Sequence, residues 1–405
     1  MIENRTILFL HQNFPGQFRH LCAALARRNR VLFLSRRSPN RLPGVQLLED
    51  APHREPDPRI HPYLAGPERA VLQGQATARR LLALRAEGVR PDLVIGHTGW
   101  GETLFVKDVF PDVPLLSYFE FFYSATGADV GFDPEFPADP DAAFRLRIRN
   151  QGLLSCLEAT DRGLSPTHWQ KSRLPLAFQP KIGVIHDGVD TDIAHPSPAP
   201  SVTLPDGTRL DSGVPVVTYV ARNLEPYRGF HIFIRAARRI LADHPQARVV
   251  VVGGDEVSYG ARLPEGETYR ERALSEAPID LSRVHFTGRL PYATYLNLLQ
   301  VSRAHVYLTY PFVLSWSVLE AMATGCLVIA SDTAPVREVI EDGANGCLVD
   351  FFDVDGIAER VAEALRAPER FRHLGEAARQ TILDRYDLKR VCLPRQLTLL
   401  AEMIG

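Results

Sequence analysis

The 405-residue chain is 45% hydrophobic and 23% charged, the profile of a globular protein long enough for two domains rather than one core. Its 46 basic and 48 acidic side chains are spread over both halves and leave a net charge of −2, which argues against nucleic acid as the main partner. Five scattered cysteines form no C-x-x-C pair, no signal-peptide pattern opens the chain, and no apolar run reaches the ~18 residues of a membrane helix. A reducing, cytoplasmic setting is expected, with peripheral contact at the inner membrane face left open.

In chain order, apolar runs alternate with amphipathic segments. Strands are predicted at TILFLHQ (6–12), VLFLS (31–35), DLVIGH (92–97), PLLSYFE (114–120), RGLSP (162–166) and IGVIHDG (182–188). Between the first two, Phe18, Leu21, Cys22 and Leu25 recur at helical spacing. HPSPAPSVTLPDGTRLDSGVP (195–215) is rich in turn residues and reads as a linker. The pattern then restarts with strands at 215–222, 247–254, 284–289, 304–310, 326–332 and 347–350. Helices are expected at about 229–243, 291–301, 317–324, 353–367 and 369–385. Near-continuous apolar strands separated by helices imply parallel sheets covered on both faces. The expected fold is therefore α/β, with two doubly wound Rossmann-like domains: 1–195 on the acceptor side, a 196–214 linker, and 215–386 for the nucleotide. Ligands of such sheets bind beyond the carboxyl ends of the strands, and a cleft between two of them is the expected site.

Two stretches carry the chemistry. In YPFVLSWSVLEAMATGC (310–326), Ser317 begins a helix and Ser317-x-x-Glu320 has the spacing of a capping box. The same helix start is an anion site, and a carboxylate one turn in suits a neighbouring diol, so a ribose beside a diphosphate meets both needs. In VARNLEPYRGF (220–230), Arg222 ends a strand and Arg228 opens a helix; two guanidiniums there fit a diphosphate, or else pair with Glu225 at the surface. Asp-x-Asp pairs at 139–141, 190–192 and 353–355 lie in turns or helix starts and read as loop and capping residues rather than metal ligands. No H-E-x-x-H, P-loop or G-x-S-x-G occurs.

These segments, in this order, resemble glycosyltransferase family 4, retaining enzymes of the two-domain GT-B fold. HQNFPGQFRHL resembles the N-terminal glycine loop of one bacterial branch. GHTGWGETLFVKDVFPDVPLLSYFEFFY and VGFDPEFP resemble its mid-domain signature, and VIHDGVDTDIAHP its end-of-domain signature, with Asp187 where Asn is usual. ARNLEPYRGF resembles the diphosphate clamp, with Arg228 in place of lysine, and VHFTGRLP the base-binding turn. SWSVLEAMATGCLVIASDTAPVREVIEDGANGCLV resembles the most specific region.

The resemblance implies roles. Glu320 is the second glutamate of a pair seven residues apart and holds the donor ribose; the first falls at Phe312, a departure that bears on sugar recognition. Gly16 lets backbone approach the diphosphate, Arg289 and Leu290 flank the base, and Leu314, Ser315, Trp316 and Ser317 border the donor. The family places a histidine near the donor sugar after the strand that here ends at Glu120. Glu120, framed by aromatics, suits proton transfer or acceptor positioning, with His97 on the neighbouring strand and Arg222 and Arg228 on the leaving group. The aromatics of SYFEFFYS and GFDPEFP line the acceptor side or pack in the core. The helix at 387–405 is expected to pack back on the first domain.

The implied activity is metal-independent, cofactor-free retaining transfer from a UDP- or GDP-sugar to a hydroxyl of a glycan or lipid-linked glycan. A nucleotide-sugar 2-epimerase on the same fold and, because of Phe312, a non-catalytic sugar-nucleotide- or glycan-binding subunit are the alternatives.

Overall fold

A computed structural model describes residues 2–405 as two compact units. One unit comprises Met1–Gly131, Pro137–Gly188 and Lys389–Gly405; the other comprises Phe132–Phe136 and Val189–Leu388.

The first unit is built on seven strands: β1 (Thr6–Leu10), β2 (Arg30–Ser35), β3 (Val45–Glu49), β4 (Leu93–His97), β5 (Leu115–Tyr118), β6 (Arg162–Ser165) and β7 (Ile182–Val184). They form one parallel sheet in the order β3-β2-β1-β4-β5-β6-β7. Ile7 to Leu10 and the whole of β4 are buried, as strands covered on both faces require. Edge strand β3 is only half-buried, and that thin apolar signal is why the sequence pattern does not announce it. Long helices Ala65–Ala86 and Ala142–Ala159 also join this unit without a strong amphipathic stripe. The last helix, Leu393–Ile404, follows one π-helical turn at Leu388–Cys392 and adds Leu393, Leu397 and Leu400 to the cluster around Phe9, Phe18 and Leu21.

The second unit begins with a hairpin, β8 (Ser201–Thr203) and β9 (Arg209–Asp211). Residues 196–214 are therefore not a free linker. Val202, Leu204 and Leu210 are buried with Val216, Leu298 and Val301, and the turn residues between them close a hairpin instead of a tether. Six further strands follow: β10 (Val216–Asn223), β11 (Arg248–Gly254), β12 (Val284–Gly288), β13 (Ser302–Tyr307), β14 (Val328–Ser331) and β15 (Cys347–Val349). Their order is β12-β11-β10-β13-β14-β15, all parallel. The predicted helices lie at Phe230–Asp243, Tyr292–Val301, Trp316–Ala323, Val354–Arg366 and Arg372–Arg385, with an unpredicted one at Tyr269–Glu276.

Both sheets reverse strand order once, between β1 and β4 and between β10 and β13. Loops leaving neighbouring strands diverge there and open a crevice at the carboxyl ends. No helix among the described residues is long and apolar enough to cross a membrane, and all five cysteines are free and buried.

Candidate active site

In the second unit the reversal point is lined by Arg222 at the end of β10 and the loop that follows it to Arg228, and by the loop after β13, from Leu308 to the helix N-cap Ser315. Gly229, at φ 67°, ends the short turn Pro226–Arg228 and starts helix Phe230–Asp243; a Cβ there would lie 2.5 Å from Leu308 Cβ. This close approach presses Arg228 into the β13 loop. Arg228 is 7% exposed, and its Nη1 donates to Thr309 Oγ1 at 2.8 Å, the Val313 carbonyl at 3.0 Å and the Tyr307 hydroxyl at 3.3 Å. Its guanidinium also lies 5.4 Å from the Tyr259 ring centre. Among the described residues Arg228 has no carboxylate partner in an ion pair. A buried cation held by neutral acceptors is costly unless an anion joins it.

Glu225, the alternative partner, is turned elsewhere. It is fully buried and accepts from the backbone N–H groups of Ser258, Tyr259 and Gly260 at 3.1, 3.0 and 2.9 Å. The carboxylate thereby fixes the loop that carries Tyr259 over Arg228. Arg222 is exposed at the end of β10 and has no ion pair among the described residues. Arg289, just beyond β12, is exposed and paired with Glu256 at 2.6 Å, and Leu290 packs against the core.

The capping-box expectation is corrected by the helix start. The N-cap is Ser315, whose Oγ accepts from Ser317 N–H at 3.3 Å, and the helix begins at Trp316. Ser315 N–H donates to Tyr307 Oη at 2.9 Å, so one tyrosine hydroxyl ties this helix start to Arg228. Glu320 does not reach back to the cap. Its two oxygens accept from Tyr292 Oη and Tyr295 Oη, each at 2.8 Å, and burial raises its pKa while these two hydrogen bonds lower it. Those tyrosines lie 28 and 25 residues away in sequence, which is why local spacing favoured a cap. Leu314 is buried in the core cluster, Trp316 is exposed, and Phe312 is buried with its ring 5.0 Å from Tyr259 and 5.6 Å from Tyr227. A phenyl group at 312 thus backs the tyrosine that faces Arg228.

In the first unit the reversal point gathers His11, Gln17, His97 and Glu120. Asn13 N–H donates to His11 Nδ1 at 2.9 Å, which leaves the ring proton on Nε2, 2.7 Å from Gln17 Oε1. Burial, reinforced by neighbouring His97, lowers the His11 pKa to about 3, so the ring is neutral near pH 7. Gln17 Nε2 donates to Glu120 Oε1 at 3.4 Å. Gly99 N–H donates to His97 Nδ1 at 3.0 Å, and His97 Nε2, buried and without a hydrogen bond, faces Glu120 Oε2 at 3.7 Å. Trp100 stacks on His97 at 4.5 Å. Gly16, at φ 53°, borders this group, and a Cβ would sit 2.5 Å from His11 Nε2. His11 and Gln17 are the members that sequence reasoning missed; their signal was their place in the glycine loop directly after β1.

Two buried acids nearby were also missed. Asp50, directly after β3, accepts from Gln73 Nε2 at 3.3 Å and from Thr77 Oγ1 at 2.5 Å. Glu102 is 1% exposed, and burial, partly opposed by the backbone N–H groups of Glu102 and Gln12, pushes its carboxyl up to about 8.

The Asp-x-Asp residues behave as turn and cap groups: Asp139, Asp190 and Asp353 accept from the N–H of Asp141, Asp192 and Gly356. Among the described residues, the three groups able to offer metal ligands within 4.8 Å of one another are Asp133, Glu135 and His231. Glu135 is gripped by Arg235, with Nη2 at 2.7 Å, and Asp133 accepts from Tyr310 Oη at 2.6 Å. A guanidinium on the cluster opposes a further cation. Phe132 and Phe136 of the same GFDPEFP loop pack on Phe352 and His231, so this loop is anchored by packing.

Residues 27–194 match the family described as "Glycosyl transferase family 4 group" and residues 203–381 that described as "Glycosyl transferases group 1". The chain is 31% identical over 188 residues to D-inositol 3-phosphate glycosyltransferase of Mycolicibacterium paratuberculosis, covering 46% of this chain and 40% of that protein. The enzyme of the same name from Mycobacterium leprae is 32% identical over 238 residues, covering 56% and 51%. The chain thus spans about half the length of these curated relatives. The crystal structure of Anabaena HepE in complex with UDP aligns over 98% of this chain and 99% of that one, with a TM-score of 0.67 at 17% identity, a likeness of fold. With two parallel sheets that reverse at one point each, and one family match spanning most of the strands of each, the chain belongs to the family 4 group of glycosyltransferases.

Proposed function

We propose that the protein is a metal-independent, retaining glycosyltransferase that moves a sugar from a nucleoside diphosphate sugar to a hydroxyl of a glycan or lipid-linked glycan. The observation that carries this reading is Arg228: a buried guanidinium at the reversal point of a nucleotide-type sheet, surrounded by neutral acceptors. A diphosphate supplies the missing negative charge. Glu320, already oriented by two tyrosine hydroxyls, has acceptor capacity left for a ribose diol, since a carboxylate offers about four lone-pair sites. The domain assignment follows: 215–386 holds the nucleotide, and 1–195 serves the acceptor.

In the reaction, the bond between anomeric carbon and diphosphate breaks while the acceptor oxygen bonds to the same face. The acceptor's proton passes to the departing diphosphate. Arg222 and Arg228 stabilise the charge that grows on the leaving group, the largest expected contribution. His97 Nε2–H and the Glu120 carboxylate are a donor and an acceptor 3.7 Å apart, a spacing that a bridging hydroxyl fills. HepE, one structural neighbour, holds UDP in its crystal. That makes UDP-sugars the first donors to test, with GDP-sugars second.

The test is release of UDP or GDP from a donor panel with and without glycan acceptors. Acceptor-stimulated release from one donor is expected. Donor recovered unchanged throughout, despite tight binding, would replace the reading with a non-catalytic binding protein. Epimerised donor with its nucleotide still attached would replace it with an isomerase.

A further inference from the structure

Asp133 belongs to the segment Phe132–Phe136 of the second unit, and its carboxylate is buried. Oδ2 accepts from Tyr310 Oη at 2.6 Å and lies 3.1 Å from His231 Nε2, while Oδ1 accepts from the Glu135 N–H at 2.9 Å. Burial raises the carboxyl pKa, but hydrogen bonds from His231, Tyr310 and the Glu135 amide outweigh it. The group stays below the ordinary carboxylate value and is charged near pH 7. Taking such a charge out of water is costly. The rings of Phe132 and Phe136 already anchor the segment on Phe351, Phe352 and His231. What the carboxylate adds to that packing is direction.

Its two partners distant in sequence belong to the elements around Arg228. His231 is the second residue of helix Phe230–Asp243, just past Arg228. Tyr310 follows Thr309, whose hydroxyl accepts from Arg228 Nη1 at 2.8 Å. The Tyr310 N–H donates to the Tyr227 carbonyl at 3.0 Å, and the rings of these two tyrosines lie 4.8 Å apart. Tyr310 is thus bonded to the residue before Arg228 and is the chain neighbour of an acceptor of Arg228. One carboxylate oxygen therefore joins the helix start to the β13 loop, the two elements that set where the guanidinium sits.

We propose that Asp133 is a positioning residue for the donor diphosphate: through Tyr310 it holds the loop that fixes Arg228, without touching ligand itself. The role rests on the nucleotide reading of Arg228 given above. It makes the aspartate of the GFDPEFP loop part of the donor machinery, although no chemistry passes through it.

The test is UDP titration calorimetry and thermal melting of the full chain. Asp133→Ala and Tyr310→Phe are each expected to weaken UDP binding severalfold. The double variant is expected to bind no more weakly than Asp133→Ala, because both changes remove the same hydrogen bond. Asp133→Asn, whose amide oxygen still accepts from the tyrosine, is expected to recover most of the loss. In an Arg228→Ala background, Tyr310→Phe is expected to cost nothing further. Val202→Ala, a core truncation in the hairpin, is expected to lower the melting temperature and leave UDP affinity unchanged, which separates positioning from stability. Spectra of the Arg228 guanidinium N–H groups, recorded without UDP, read their placement directly; in Tyr310→Phe these signals are expected to shift and to exchange faster with solvent. Unmoved Arg228 signals, or full UDP affinity in Asp133→Ala and Tyr310→Phe while Arg228→Ala loses it, overturn the proposal and leave the nucleotide reading intact. A further loss from Tyr310→Phe in the Arg228→Ala background does the same. Wild-type affinity in Arg228→Ala, or no UDP binding by the wild-type chain, overturns the nucleotide reading and the donor role of Asp133 with it.

Discussion

Arg228 and Glu102 are both buried ionisable side chains in no ion pair among the described residues, and they resolve that problem differently. Arg228 keeps its proton in any accessible pH range, so its cost is relieved only by a ligand. Each charge-assisted hydrogen bond contributes about 1.5–3 kcal/mol, so Arg228→Ala is expected to weaken UDP binding by roughly 10- to 100-fold. Arg222→Ala, at an exposed position, should cost less than about tenfold. Arg228→Lys should recover only part, because the planar fork is lost. Titration calorimetry with UDP decides it; wild-type affinity in Arg228→Ala removes the residue from the site. Glu102 instead takes up a proton. Its native pKa of about 8 lies above the ordinary value of 4.5, so the folded chain holds a proton that the unfolded chain releases between those values. Stability is therefore greatest below about pH 4.5 with respect to this group, falls as pH rises to about 8, and is flat above. The full swing is on the order of 4–5 kcal/mol. Glu102→Gln cannot titrate and is expected to flatten that slope, read as melting temperature against pH. An unchanged slope assigns it to other groups.

At the scale of elements, Glu225 shows how one side chain can shape a loop that contributes to a site. It lies fully buried beyond β10 and collects three consecutive amides at 258–260. Glu225→Ala leaves those donors unheld, at a cost of about 1–3 kcal/mol, and frees Tyr259 from its place over Arg228. Faster amide exchange confined to residues near 258–260, with slow exchange retained in β10 and β11, is the expected signature. Loss of protection throughout the sheet would instead make Glu225 a general core residue. The sequence made β10 and β11 legible because buried parallel strands are runs of valine. It did not reveal the loop they carry. Glu225 and Ser258 are 33 residues apart, and a carboxylate in a nest of amides has the same local spelling as one on the surface. The same limit hid Tyr292 and Tyr295 from Glu320. Spacing along one helix start can be read from the chain; contacts brought by another helix cannot. Strand β3 and the long helix Ala65–Ala86 escaped because half-buried edges and faces with mixed polarity leave a weak period.

For the whole molecule, two doubly wound halves were legible from the restart of the strand pattern near residue 215, and the return of the last helix to the first was expected from the family resemblance, while the place of Phe132–Phe136 in the second was not. Each unit takes a segment from the other's stretch of sequence: Phe132–Phe136 belongs with Val189–Leu388, and Lys389–Gly405 with the N-terminal residues. Those five residues place Asp133 against Tyr310 at 2.6 Å and His231 at 3.1 Å, and lay Phe132 on Phe351, Phe352 and Tyr310. A fragment cut at the apparent boundary, 189–388, therefore lacks part of its own packing. It leaves the Tyr310 hydroxyl without its carboxylate and exposes an aromatic shelf, so it should melt several degrees below the same fragment supplied with a 130–138 peptide. The peptide should protect Tyr310 and Phe351 in solution spectra, and an Asp133→Ala peptide should do so about tenfold less well, the loss of one strong hydrogen bond to a charged group. A fragment that is equally stable without the peptide, and blind to it, would show that the five residues merely rest on the second unit. A fragment completed by the peptide would place the true boundary within the GFDPEFP loop, whose aromatics then count as core packing of the second unit.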